Sequence, residues 1–93
     1  MREITVEHAL VIAVRNRGGM CPKHVSPGTA GMPDRLVLLP KGKSAFVETK
    51  APGRKPRRLQ EVRHAQLRDL GCPVYVIDHP DQIEGILDEI QAA

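Results

Sequence analysis

Apolar positions along the chain fall into short, distinct periods. Val6, Leu10, Ala13 and Val14 recur at helical spacing. They predict an amphipathic helix from about Thr5 to Arg17, with Thr5 as N-cap and Gly18-Gly19 as its stop. Met20 to Val25 predicts a short strand, which Pro22 restricts to a sheet edge. Ser26 to Met32 is built of small and turn residues and predicts a loop. Two apolar runs follow, Asp34 to Leu39 and Ser44 to Thr49, separated by the turn Pro40 to Lys43. Such close spacing predicts an antiparallel hairpin. Ala51 to Pro56 reads as a basic turn. A second helix is expected from Arg57 to Leu70, with Leu59, Val62, Ala65, Gln66 and Leu70 on one broad inner face and Gly71 beyond it. Val74 to Ile77 predicts a short buried strand. Ile83, Ile86, Leu87 and Ile90 predict a third helix over about Pro80 to Gln91.

The element order is thus αβββαβα: a mixed β-sheet flanked by helices, in the α/β class. The crossover helix makes the third and fourth strands parallel if they are adjacent. A length of 93 residues predicts one domain spanning 1–93. So small a domain buries a modest core, which makes a homodimer an attractive expectation. One Tyr, one Phe and no Trp make the core aliphatic and exclude a surface that stacks unpaired bases. No apolar run reaches membrane-spanning length, and the two cysteines form no CxxC. A soluble cytoplasmic protein with reduced thiols is expected. Cys21, His24, Cys72 and His79 match no common zinc spacing. His8 and His64 are expected at the surface.

The net charge of +3 is unevenly spread. Lys50, Arg54, Lys55, Arg57, Arg58, Arg63 and Arg68 face a single acid, Glu61, over residues 50–68, whereas the stretch from Asp69 to the end holds acids and no Lys or Arg. A local basic stripe is the footprint of a phosphate backbone, although it also suits a solvated helix face. Candidate chemistry lies beside it. Glu48 and Lys50 alternate onto the same side of one strand, and a hairpin brings Asp34 next to them. Two neighbouring carboxylates stay ionised only with positive charge between them. A hard divalent cation meets that need, and Mg²⁺ typically takes one or two carboxylates and keeps several waters. Asp34, Glu48 and the Thr49 carbonyl would form an open site, Glu7 from the first helix would add a ligand, and Lys50 would orient water or neutralise a phosphate.

This arrangement resembles the PD-(D/E)xK nuclease superfamily and, within it, the virus-type replication-repair nuclease (VRR-NUC) family. The resemblance rests on Glu7, on Gly31-Met32-Pro33-Asp34-Arg35-Leu36, on Phe46-Val47-Glu48-Thr49-Lys50 and on Gln60, and it covers nearly the whole chain. It implies a fold like that of restriction endonucleases and Holliday-junction resolvases. It also implies a Mg²⁺-dependent, Mn²⁺-tolerant endonuclease that acts on DNA, including branched DNA such as Holliday junctions. Asp34 and Glu48 match the metal-binding acids, Lys50 the catalytic lysine, Gln60 a supporting glutamine and Glu7 the helix-borne acid. Lys23, Arg54, Lys55, Arg57 and Arg58 are then expected to contact phosphates. The competing expectation is a non-catalytic DNA-binding module on the same fold. It accounts for the basic stretch but not for the aligned Asp34, Glu48 and Lys50.

Overall fold

A computed structural model describes residues 1–93. Helix α1 spans Glu3–Asn16, strand β1 Arg35–Leu39, β2 Lys43–Thr49, helix α2 Arg58–Asp69, β3 Val74–Ile77 and α3 Ile83–Ala92, with 3-10 turns at Pro40–Gly42 and Pro80–Gln82. No helix is long and apolar enough to cross a membrane.

α1 begins before the expected cap. Arg2 is the extended residue at its N-terminus, and the Thr5 amide already donates to the Arg2 carbonyl inside the first turn. Thr5 is therefore helical rather than a cap. The buried stripe is Val6, Glu7, Leu10 and Val14, so Glu7 lies in line with the core positions. The helix stops at Gly18, whose φ is +82°. Gly19 then lets the backbone graze β1: a Cβ there would stand 2.2 Å from the Leu38 carbonyl oxygen.

That approach starts the expected edge strand, which forms only as two isolated antiparallel bridges, Met20 with Leu38 and Lys23 with Arg35. The Leu36 amide donates to the Pro22 carbonyl, but Pro22 has no N–H to return. The ladder is interrupted where proline was expected to confine the strand to an edge. The continuous sheet has the order β1-β2-β3. β1 and β2 are antiparallel with Arg35 opposite Val47 and Leu39 opposite Lys43. β2 and β3 are parallel, with Phe46 opposite Val74 and Thr49 opposite Ile77. The hairpin turns through Lys41 and Gly42, both at positive φ.

Alternation along β2 divides the molecule. Ala45 and Val47 join Val37, Leu39 and Ile77 in one apolar cluster with Val6, Leu10 and Val14 of α1 and Ile83, Leu87 and Ile90 of α3. Burying each of these larger side chains is worth roughly 1.5–3 kcal/mol. The ion pairs of Arg17 with Glu84 and Asp88 that link α1 to α3 are solvent-screened and contribute little. Packing therefore positions α3.

α2 covers the other face, and here the sequence expectation fails. Leu59, Val62 and Leu70 are 46%, 42% and 80% exposed, and Ala65 and Gln66 are exposed as well. The buried residues are Gln60 and His64, four positions apart on one side of the helix. His64, expected at the surface, is 2% exposed. The strand face beneath α2 carries Glu48, a polar group that an aliphatic stripe would leave unpaired, so the helix presents polar side chains to it.

The loop before Asp34 docks on α2. Arg63 Nε donates to the Ala30 carbonyl, and a Cβ on Gly31 (φ +85°) would lie 2.9 Å from the Leu59 carbonyl oxygen. Gly28 has a matching φ of +83° with no atom within 4 Å. Left-handed backbone costs a non-glycine residue on the order of 1–3 kcal/mol. In urea denaturation, Gly28→Ala should lose about that amount, and Gly31→Ala should lose more because helix backbone stands in the way. Equal losses would contradict the docking.

Candidate active site

The candidate side chains gather where β1 begins and β2 ends. Asp34 immediately precedes β1 and is held by one residue of β2. Its Oδ1 accepts from the Thr49 amide at 3.0 Å, and its Oδ2 accepts from Thr49 Oγ1 at 2.7 Å. Thr49 is fully buried, so this pair of bonds fixes the carboxylate in direction as well as place. Sequence reasoning valued Thr49 for its carbonyl and missed its amide and hydroxyl. The signal was available, because threonine is a β-branched strand former that also carries a donor.

Glu48 is 3% exposed. Its Oε2 accepts from Gln60 Nε2 at 3.3 Å and lies 3.6 Å from Lys50 Nζ. Gln60 works in both directions, since its Oε1 accepts from Lys50 Nζ at 3.0 Å and from the Arg57 amide at 2.8 Å. The second of these bonds satisfies an N–H left without a partner at the start of α2. Two donors on one side and a carboxylate on the other give the amide a single consistent orientation. The other Glu48 oxygen, Oε1, is buried without a hydrogen-bond partner, and so is His64 Nε2, 3.5 Å away.

Burial and the nearby Asp34 charge push Glu48 up to about 7, against the opposing pull of Lys50. Burial, then the Arg68 and Lys50 charges, push the His64 imidazole down, which favours its neutral form. Burial likewise raises the Cys21 thiol to about 11, so it is no thiolate at neutral pH.

Glu7 approaches from α1, on the other side of the sheet. Its Oε1 pairs with Arg35 Nη2 at 2.8 Å, and Arg35 Nη1 donates to the Cys21 carbonyl at 2.8 Å. Arg35 thus faces away from Glu48 and pairs structurally. Carboxylate oxygens of Glu3, Glu7 and Asp34 lie within 4.8 Å of one another. Sequence reasoning missed Glu3. Its spacing of four from Glu7, which puts both on one helix face, was the available signal. Cys21, His24, Cys72 and His79 do not form a comparable group.

These residues fit a hard divalent cation. The donors are all carboxylate oxygens, as Mg²⁺ and Mn²⁺ prefer. Glu48 lies outside that group, close enough to feel the Asp34 charge, and keeps one buried oxygen that nothing in the chain satisfies. Arg54, Lys55, Arg57 and Arg58 are exposed and none pairs with an acid. Three of them join Lys50, Ala51 and Glu3 around a cleft of about 430 Å³. Lys23 is exposed and bridged to Arg35, next to Asp34.

The raised Glu48 has a measurable sign. Its proton is held in the folded state up to pH about 7 but lost near 4.5 in the unfolded chain. The stabilisation is complete below 4.5 and disappears as pH rises through 7. In EDTA, the wild type should therefore lose on the order of 3 kcal/mol relative to Glu48→Gln between pH 4.5 and pH 8. Making the comparison in a His64→Leu background removes that residue's opposite contribution. A difference flat in pH would contradict the buried acid.

No protein-family model matches the chain. Among curated proteins it is 53% identical over 81 residues to "Putative nuclease p44" of Acyrthosiphon pisum secondary endosymbiont phage 1, covering 87% of each chain. Among solved structures it superposes on a chain described as "VRR_NUC domain" with a TM-score of 0.86 and 31% identity, covering 92% of this chain and 94% of that one. Nearly full-length agreement in sequence with the one and in fold with the other means that the chain belongs to the VRR-NUC domain family.

Proposed function

We propose that the chain is a divalent-metal-dependent nuclease that hydrolyses phosphodiester bonds in DNA. The observation that carries the reading is the arrangement of Lys50. Its ammonium is held by Gln60 beside a buried carboxylate with a free oxygen, at the edge of a cleft lined by unpaired cations. The relative's printed name and the shared fold point the same way.

In this reading Asp34 and Glu48 hold Mg²⁺, or Mn²⁺ in its place, with Glu7 or Glu3 as a further ligand. Such an ion supplies Lewis-acid polarisation of the phosphate and a water of lowered pKa. The chain's own groups do the rest. Thr49 keeps Asp34 oriented. Gln60 holds Glu48 and Lys50 in one geometry, so that the ammonium meets charge developing on the phosphate without reorganising. Arg54, Lys55, Arg57, Arg58 and Lys23 contact the backbone, which fixes the position of the strand but reads no bases. For that reason the proposed selectivity is for DNA shape, with cutting inside branched or structured molecules such as four-way junctions. Cutting two strands symmetrically calls for two sites related by a twofold axis, hence a homodimer.

Labelled duplex, flap and four-way-junction DNA, incubated with EDTA, Mg²⁺ or Mn²⁺, tests this reading. Cleavage should need the metal. Asp34→Ala and Lys50→Ala should each reduce it by about 100-fold or more, with DNA still bound by Lys50→Ala. Arg57→Ala should weaken binding to every substrate and lower the salt slope by about one. Binding without metal-dependent cutting of any substrate would refute the nuclease and leave a DNA-binding module.

A further inference from the structure

The buried imidazole of His64 has no task in the network described so far. It stands two turns from the start of α2, one turn beyond Gln60, and is 2% exposed. Its Nε2 is 3.5 Å from Glu48 Oε1, and neither atom has another partner. A buried polar atom without a partner is unfavourable. Two such atoms facing each other across one gap form a contact slightly too long for a hydrogen bond, and a small movement of either side chain closes it. The opposite oxygen of Glu48 is already gripped by Gln60. The carboxylate thus lies between two side chains of α2, one addressing each oxygen.

We infer that His64 is a positioning residue for Glu48: an imidazole whose Nε2–H is aimed at Oε1 and sets the plane in which that oxygen meets a divalent cation. A carboxylate oxygen has two lone pairs, so Oε1 can accept from His64 and still serve a metal. Groups that orient a metal ligand from behind in this way typically account for about 10–100-fold in metal affinity or activity. The inference rests on Glu48 holding the cation, as proposed above. It also explains why α2 turns a histidine inward and leaves Leu59, Val62 and Leu70 in solvent.

The test uses the full chain and Mn²⁺ alone, by titration calorimetry in the absence of DNA. His64→Leu keeps the bulk and removes the donor. His64→Gln keeps an N–H at the reach of Nε2, and His64→Asn offers one that falls short. Melting in EDTA establishes that each variant folds. The expected result is a Leu variant that melts like the wild type, binds Mn²⁺ about 10–100-fold more weakly, and cuts DNA with lowered kcat and unchanged KM. The Gln variant should recover most of the affinity. Wild-type Mn²⁺ affinity in His64→Leu would overturn the inference. If the Leu variant does not fold, the pair decides: near-wild-type binding by Gln with weakened binding by Asn supports positioning, and equal behaviour of the two refutes it. Absence of Mn²⁺ binding by the wild type would instead overturn the metal-dependent reading itself, and the inference with it.

Discussion

A carboxylate that a small domain takes out of water dominates this structure. Ionised and unpaired, Glu48 would cost several kcal/mol, a large share of what 93 residues can offer. The surroundings limit that cost without removing it. Lys50 and Gln60 address one oxygen, and the other is left to His64 across a long gap. The residual cost appears as a proton held up to pH about 7. A site kept short of positive charge in this way is suited to a cation that arrives from solution, and Asp34, Glu3 and Glu7 add to the deficit nearby.

The same constraint explains the uneven construction of the molecule. On one face of the sheet, α1 and α3 pack an aliphatic core with no unusual features. On the other, α2 gives its inner surface to Gln60 and His64 and exposes leucines that would otherwise pack. The chain accepts weaker apolar packing on one side in exchange for a polar network over β2. The Ala30-Gly31 loop docks onto α2 and leads the chain directly into Asp34.

The two faces meet at the strand ends. Arg35 reaches through to Glu7 on the α1 side, while Asp34, one residue earlier, is tied to Thr49. Acids from α1 thereby approach a site whose lysine and glutamine belong to the α2 side. The basic turn after Lys50 is itself anchored, because the Gly53 amide donates to Asp78 beyond β3. Arg54, Lys55 and Arg57 consequently line one cleft with Lys50 and Glu3.

Much of this was determined by the residues themselves. The helical stripes of α1 and α3, the hairpin and the parallel third strand follow from periodicity and turn chemistry, which act over a few residues. The nearness of Asp34, Glu48 and Lys50 follows from strand alternation and hairpin register, which are equally local. What lay outside local rules was decided by tertiary structure. Leu59, Val62 and Leu70 mark an apolar face by composition, yet which side of α2 turns inward depends on what the sheet presents to it, and the sheet presents Glu48. His64 is therefore buried, which spacing alone does not assign, whereas the i, i+4 pairing of Glu3 with Glu7 is as local as the helical stripes. Proline at position 22 reduced a strand to two bridges, although its effect could be anticipated, because the missing N–H is a property of the residue. The pairing of a buried acid with a polar helix face is a property of two segments at once, and only the folded chain brings them together.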